Sequence, residues 1–121
     1  MYEIQTERYG FRVRFRGVIG SEDLQKSCDK LEEIEAVPGI TPDRLFDLSL
    51  VDATLFSYDV IAELARRRRA ALLKNRVKSA VYAPSDLQFG YSRMFQELND
   101  NPQIEVRVFR DLVAAEKWLE P

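Results

Sequence analysis

Residues 11–16 read Phe-Arg-Val-Arg-Phe-Arg, a strict alternation of apolar and cationic side chains. A period of two is that of a β-strand with one buried and one solvated face. Residues 2–8 alternate as well, with Tyr2, Ile4 and Thr6 on one side and Glu3, Gln5 and Glu7 on the other. A turn at Tyr9-Gly10 joins the two runs as a hairpin, with Gly10 taking any positive φ. The expected register sets Glu7 opposite Arg12, Glu3 opposite Arg16 and Gln5 opposite Arg14. Opposite charges directly across a ladder stabilise by about 0.2–1 kcal/mol. The charge pattern therefore supports the hairpin independently of the apolar one.

Beyond the hairpin, helical and strand patterns take turns. Ser21 is placed to cap a helix whose first turn carries Glu22 and Asp23, matching the positive end of the helix dipole. Leu24, Cys28, Leu31 and Ile34 form its apolar stripe, and Pro38-Gly39 ends it. Residues 44–50 read as a strand with Phe46 and Leu48 inward, followed by a loop over 51–56. Residues 57–74 are the longest expected helix, with Val60, Ile61, Leu64, Ala65 and Leu72 facing the core. Residues 77–83 form a strand ended by Pro84. Ser85 or Asp86 caps a third helix bearing Leu87, Tyr91, Met94, Phe95 and Leu98, which Asn101-Pro102 breaks. Residues 104–109 alternate again, and Asp111 caps a last helix with Leu112, Ala115, Trp118 and Leu119.

The order ββαβαβαβα predicts an α/β fold: one domain spanning residues 1–121, with a single mixed sheet of about five strands. The later strands are expected to be mainly parallel, with right-handed crossovers. Arg12, Arg14, Arg16, Asp47, Lys78, Glu105 and Arg107 occupy the second face of their strands. A sheet buried on both sides would carry near-continuous apolar strands there. The helices are therefore expected mainly on one face, with Asp47 meeting an arginine of the second strand across the other.

Composition narrows the function. The chain has 121 residues, 45% hydrophobic and 31% charged, enough for one ordinary core and a solvated surface. A net charge of −2 gives no global field favouring nucleic acid. There is no histidine, the usual general base near neutral pH and the commonest metal ligand. Cys28 is the one cysteine, so neither an internal disulfide nor a thiolate metal cluster is expected. No metal or other cofactor is expected. The start has no signal-peptide pattern, and no apolar run reaches the roughly 18 residues of a membrane span. A cytoplasmic location is the expectation.

At this point the chain resembles a known family. The element order, the ending Ala115–Leu119 (AAEKWL from Ala114) and the segment YAPSDLQFGYSRMF over 82–95 are similar to bacterial SpoIIAA-like proteins. These belong to the wider STAS group of sulfate-transporter and anti-sigma-factor-antagonist domains, some members being related to Sec14-type lipid-binding domains. The resemblance implies a regulatory domain that binds another protein. STAS antagonists carry a DLS-like strand followed by a DSSG turn whose second serine is phosphorylated. Asp47-Leu48-Ser49 resembles that strand, and counting onward puts Ser57 at the switch position. Leu55, Phe56 and Tyr58 stand where the aspartate, first serine and glycine of the turn belong.

The residues themselves offer plainer readings beside these. Ser57 before Tyr58 and Asp59 is a good N-cap, worth about 0.5–2 kcal/mol over alanine. A phosphate there would also meet free N–H groups. Arg66–Arg69 point in four directions on a helix, about 100° apart, and form no single patch. Arg68 falls toward the apolar side, where it snorkels or pairs with an acid. With Lys74 and Arg76 the run is either an anion contact or a solvated face. Gly90 requires a close approach of backbone or ligand. Arg93 is expected one turn from it, near the C-terminal strand ends where open α/β sheets bind ligands. Cys28 is expected in the core. Asp47, Ser49 and Asp52 form no recognisable catalytic set.

The leading expectation is a non-enzymatic regulatory or protein-interaction domain. Its contact surface includes Ser57, Tyr58 and Asp59, and its partner is another protein or a second copy. The alternative is a carrier of a small apolar or lipid-like ligand, with Phe56, Asp86, Phe89, Gly90 and Arg93 as ligand or anion contacts. Such a carrier calls for an apolar pocket of roughly 300–1,000 Å³. A third, an enzyme using carboxylates or arginines alone, calls for a cleft of converging ionisable groups with displaced pKa values.

Overall fold

The computed structural model describes all of residues 1–121. Its elements are β1 (Tyr2–Glu7), β2 (Gly10–Gly20), α1 (Ser21–Ala36), β3 (Asp43–Leu55), α2 (Tyr58–Arg69), β4 (Val77–Tyr82), α3 (Asp86–Leu98), β5 (Ile104–Phe109) and α4 (Leu112–Leu119). The five strands form one mixed sheet in the order β1-β2-β3-β4-β5. β1 is antiparallel to β2, and the other neighbours are parallel. Element types and order match the sequence pattern.

The hairpin register differs from expectation by two residues. The turn is Arg8-Tyr9, and Glu7 lies opposite Gly10, Gln5 opposite Arg12 and Glu3 opposite Arg14. Gly10 is needed in the ladder rather than in the turn. A Cβ there would lie 1.9 Å from the Asp43 carbonyl oxygen of the neighbouring strand. Glu3 still pairs with Arg16, now diagonally, at 2.9 Å. Diagonal neighbours remain within reach of long side chains.

The expected loop over 51–56 is largely strand. β2 runs on to Gly20 and pairs with β3 as far as Leu55. β1 pairs only up to Phe15, and β4 only up to Asp47 of β3. β2 and β3 therefore project together as a two-stranded ribbon. Gly20 rather than Ser21 is the N-cap of α1, and the Asp23 carboxylate accepts from the Gly20 N–H at 2.9 Å. Helix α2 stops at Arg69, so α1, with 16 residues, is the longest helix. The Asn101 amide donates to the carbonyls of Arg68, Arg69 and Ala71 at 3.0, 3.3 and 2.9 Å, capping the end of α2 from outside. Leu72, expected in the core, is consequently 93% exposed. Leu87 is exposed as well. Ser85 forms the expected cap of α3, with Gln88 reaching back in a capping box. Asp111 caps α4.

Helices α1, α2 and α3, each linking two parallel strands, lie on one face. Phe11, Val13 and Phe15 of β2 and Val77, Val81, Ile104 and Val106 of β4 and β5 point toward them. Only α4 covers the other face, over Leu45 and Ala80. On this face the buried Asp47 meets β2, with Arg14 Nε at 3.4 Å and Arg12 Nη1 at 4.0 Å, the cross-strand contact the pattern predicts.

Candidate functional site

Helix α1 packs on β2 and α3 packs on β5, whereas α2 makes its main contacts with α3 and α1. It thus roofs the central strands instead of lying on them. Beneath it is a cavity of about 130 Å³, with 15 hydrophobic residues among the 23 that line it. Phe46 and Leu48 of β3, Leu31 of α1, Ile61 of α2 and Phe95 of α3 supply much of the wall. The space is smaller than the roughly 300–1,000 Å³ expected of a drug-sized ligand pocket. It is close to the roughly 150 Å³ of an engineered apolar cavity that admits benzene.

The two ends of the cavity differ. Val51, Thr54, Phe56, Gln88 and Tyr91, all half-buried, line the end where the ribbon leaves the sheet. The Phe56 and Tyr91 rings pack 5.1 Å apart, and the Tyr91 hydroxyl donates to the Phe56 carbonyl at 3.4 Å. Gln88 donates to the Leu48 carbonyl at 3.1 Å. These half-buried side chains form the mouth of the cavity.

The opposite end is charged and fully buried. Arg44 Nη1 donates to Glu35 at 2.8 Å, and Arg68 Nη1 and Nη2 grip the same carboxylate at 2.9 and 2.5 Å. Arg44 also donates to the Pro42 carbonyl at 2.9 Å, and its guanidinium lies 5.3 Å from the centre of the Phe11 ring. Burial pushes the Glu35 carboxyl up, but hydrogen bonds from Arg68 and Arg44 outweigh it and hold the group below its usual range. Burial pushes the Arg44 guanidinium down from its ordinary value, against the pull of Glu35. An arginine nevertheless stays charged. Asn99, at the end of α3, completes this floor. Cys28 is also in the wall, and burial pushes its thiol up, so it is no ready thiolate.

The residues singled out from sequence fall in four places. Phe56 lines the cavity. Ser57 is the N-cap position of α2, but its side chain makes no capping hydrogen bond, and Tyr58 beside it is exposed. Asp59 borders a shallow groove between α1 and α2, with Ser21, Gln25, Glu63 and Arg67. Asp86, Phe89 and Arg93 gather on the outer side of α3. Asp86 pairs with Arg110 at 2.9 Å, and the Arg93 and Arg110 guanidiniums sit over the Phe89 ring at 5.9 and 5.1 Å. The cavity is lined instead by Gln88, Tyr91, Ser92, Phe95 and Asn99, on the inner side of α3. Gly90 has nothing within 4 Å of where a Cβ would stand, so no close approach requires it.

Three of the four arginines in the run are paired within the chain, and Arg69 is exposed without an ion pair. Arg66 pairs with Glu63, Arg67 with Asp29 and Glu32, and Arg68 with Glu35. Lys74 donates to the Glu35 and Val37 carbonyls. The floor residues Arg44, Glu35 and Asn99 escaped sequence reasoning. One signal was available: Arg44 shares a strand face with Phe46 and Leu48, so alternation alone puts a cation on an apolar face.

No family model matches the chain, and no curated protein does. A solved structure does: an uncharacterised DUF3478-family protein with a SpoIIAA-like fold, from Shewanella loihica PV-4. It aligns over 99% of this chain and 93% of its own, with TM-score 0.62 and 18% identity. The chain has the SpoIIAA-like fold. At that identity the likeness establishes the architecture alone. Within this SpoIIAA-like domain no helix is long and apolar enough to cross a membrane. No group of three or more histidine, cysteine, aspartate or glutamate side chains is placed to hold a metal ion.

Proposed function

We propose that this SpoIIAA-like domain is a non-catalytic binding module that takes a small, largely apolar molecule into the cavity beneath α2. The observation that carries this is the cavity itself, about 130 Å³ of space with mostly hydrophobic walls. Protein interiors are otherwise close-packed, with few voids larger than a water molecule. Its titratable lining residues are Cys28, Arg44, Arg68 and Tyr91. None of these is an ordinary acid or base at neutral pH, which supports binding rather than chemistry. The test is a titration of the whole protein with 1-hexanol, followed by amide chemical shifts. Saturable shifts at Leu31, Ser92 and Phe95 are expected. Shifts confined to the outer surface, or none, would overturn the proposal.

A second reading has its own support. The ribbon and the start of α2 expose Val18, Leu50, Leu55 and Tyr58 at one end of the molecule. A cluster of exposed apolar side chains marks a contact surface. Here Ser57, Tyr58 and Asp59 would border a protein partner, a second copy of the chain being the simplest. Sedimentation of wild type and Leu55→Asp separates the cases. A dimer abolished by the substitution supports self-association, and a monomer at high concentration rules it out.

A further inference from the structure

Building on the small-ligand reading, we propose that the ligand is a small monocarboxylate, its apolar tail toward Phe56 and its carboxylate on the floor against Arg44 and Asn99. The first ground is charge. Arg44 and Arg68 share the single Glu35 carboxylate, with all three side chains at most 6% exposed, while the next acids along α1, Asp29 and Glu32, are held by Arg67 nearer the surface. Asp43 does not join them. It precedes Arg44 on the strand, so it faces the other side of the sheet, where it accepts from the Lys78 N–H. The Cys28 thiol, kept protonated by burial, adds no negative charge.

The second ground is unmet hydrogen-bonding capacity in the lining of the same cavity. Arg44 Nε has no partner, and neither does either atom of the Asn99 amide, although Arg44 is 1% and Asn99 6% exposed. Buried polar groups are nearly always partnered, so such exceptions call for a missing occupant. A water molecule would satisfy hydrogen bonds but bring no charge. A carboxylate accepts from the two orphaned donors, Arg44 Nε and Asn99 Nδ2, and brings a negative charge beside the guanidiniums. The third ground is the wall above the floor, which is mainly hydrocarbon and suits an alkyl tail rather than a second polar group. By comparison with the cavity that admits benzene, the tail is about five or six carbons long.

Calorimetric titration of the full-length protein at neutral pH with hexanoate, 1-hexanol and acetate tests this. Hexanoate should bind about tenfold or more tightly than hexanol, the neutral ligand of similar length, since charge-assisted hydrogen bonds are roughly twice as strong as neutral ones. Acetate, lacking the tail, should show no saturable binding. Asn99→Leu and Arg44→Met should each erase most of the preference for hexanoate while hexanol still binds. Asn99→Leu carries the test alone if Arg44→Met fails to fold. Hexanoate binding no better than hexanol would overturn the carboxylate assignment and leave the apolar cavity standing. Failure of both ligands to bind would overturn the cavity reading and this proposal together.

Discussion

The two faces of the sheet are packed by opposite means. On the α4 side, Ala80 and Ala115 meet with Leu45 and Leu119 between strand and helix, and all four are essentially inaccessible. Small residues let a helix settle directly on the strands. On the other side three helices must share five strands, and the middle one rests on its neighbours. Phe56, Ile61 and the Arg68–Glu35 pair hold α2 above β3, and the space beneath it remains. The lesson is that a roofing helix, not a hole in the sequence pattern, makes the cavity. Such a helix is also the element easiest to displace, since little backbone lies beneath it.

The comparison breaks most severely at Glu35. Glu35→Gln leaves Arg44 and Arg68 buried without a counter-charge and should cost about 3–5 kcal/mol in urea unfolding. The same residue makes the helical face sensitive to acid. Its folded-state pKa lies below the ordinary value of 4.5, so its contribution is complete above that value. That contribution is lost as pH falls through the lower folded value. Urea midpoints should therefore fall as the pH drops below the ordinary carboxyl value, and this part of the decline should vanish in Glu35→Gln. Equal slopes for wild type and variant would show that Glu35 is not the group responsible.

Enlarging one residue on each face sharpens the contrast. Ala80→Leu forces a side chain into the close α4 interface and should destabilise by about 1–3 kcal/mol. On the same face, Asp47→Asn keeps an acceptor for the Ser49 N–H but loses the charge facing Arg12 and Arg14. A cost of about 1 kcal/mol in denaturant unfolding is expected, the difference between a charged and a neutral hydrogen bond. The smallest effect belongs to Ser92→Leu, which projects into the cavity. Stability should stay within about 1 kcal/mol of wild type, because the added carbons occupy existing space, while hexanol binding disappears. A large loss there would mean that the two faces are packed alike after all.

The sequence by itself determined the elements, their order and the two-sided character of the sheet. Strand period, helix stripe and caps such as Ser85 and Asp111 are local properties, set by residues within a few positions of one another. It also located the cation–carboxylate contact of Asp47 with β2, because alternation assigns each residue to a face before any strand is paired. Tertiary structure alone decided the rest. Gly10 moved the hairpin register because it must pass the backbone of β3. β3 grew to Leu55 because β2 continued beside it. α2 ended at Arg69 because the distant Asn101 takes up its last carbonyls. The Arg44–Glu35–Arg68 cluster joins a strand to two helices, and the cavity is what remains between surfaces that fit their own neighbours better than each other. No local pattern records such a remainder, since it belongs to the distance between elements and not to any one of them.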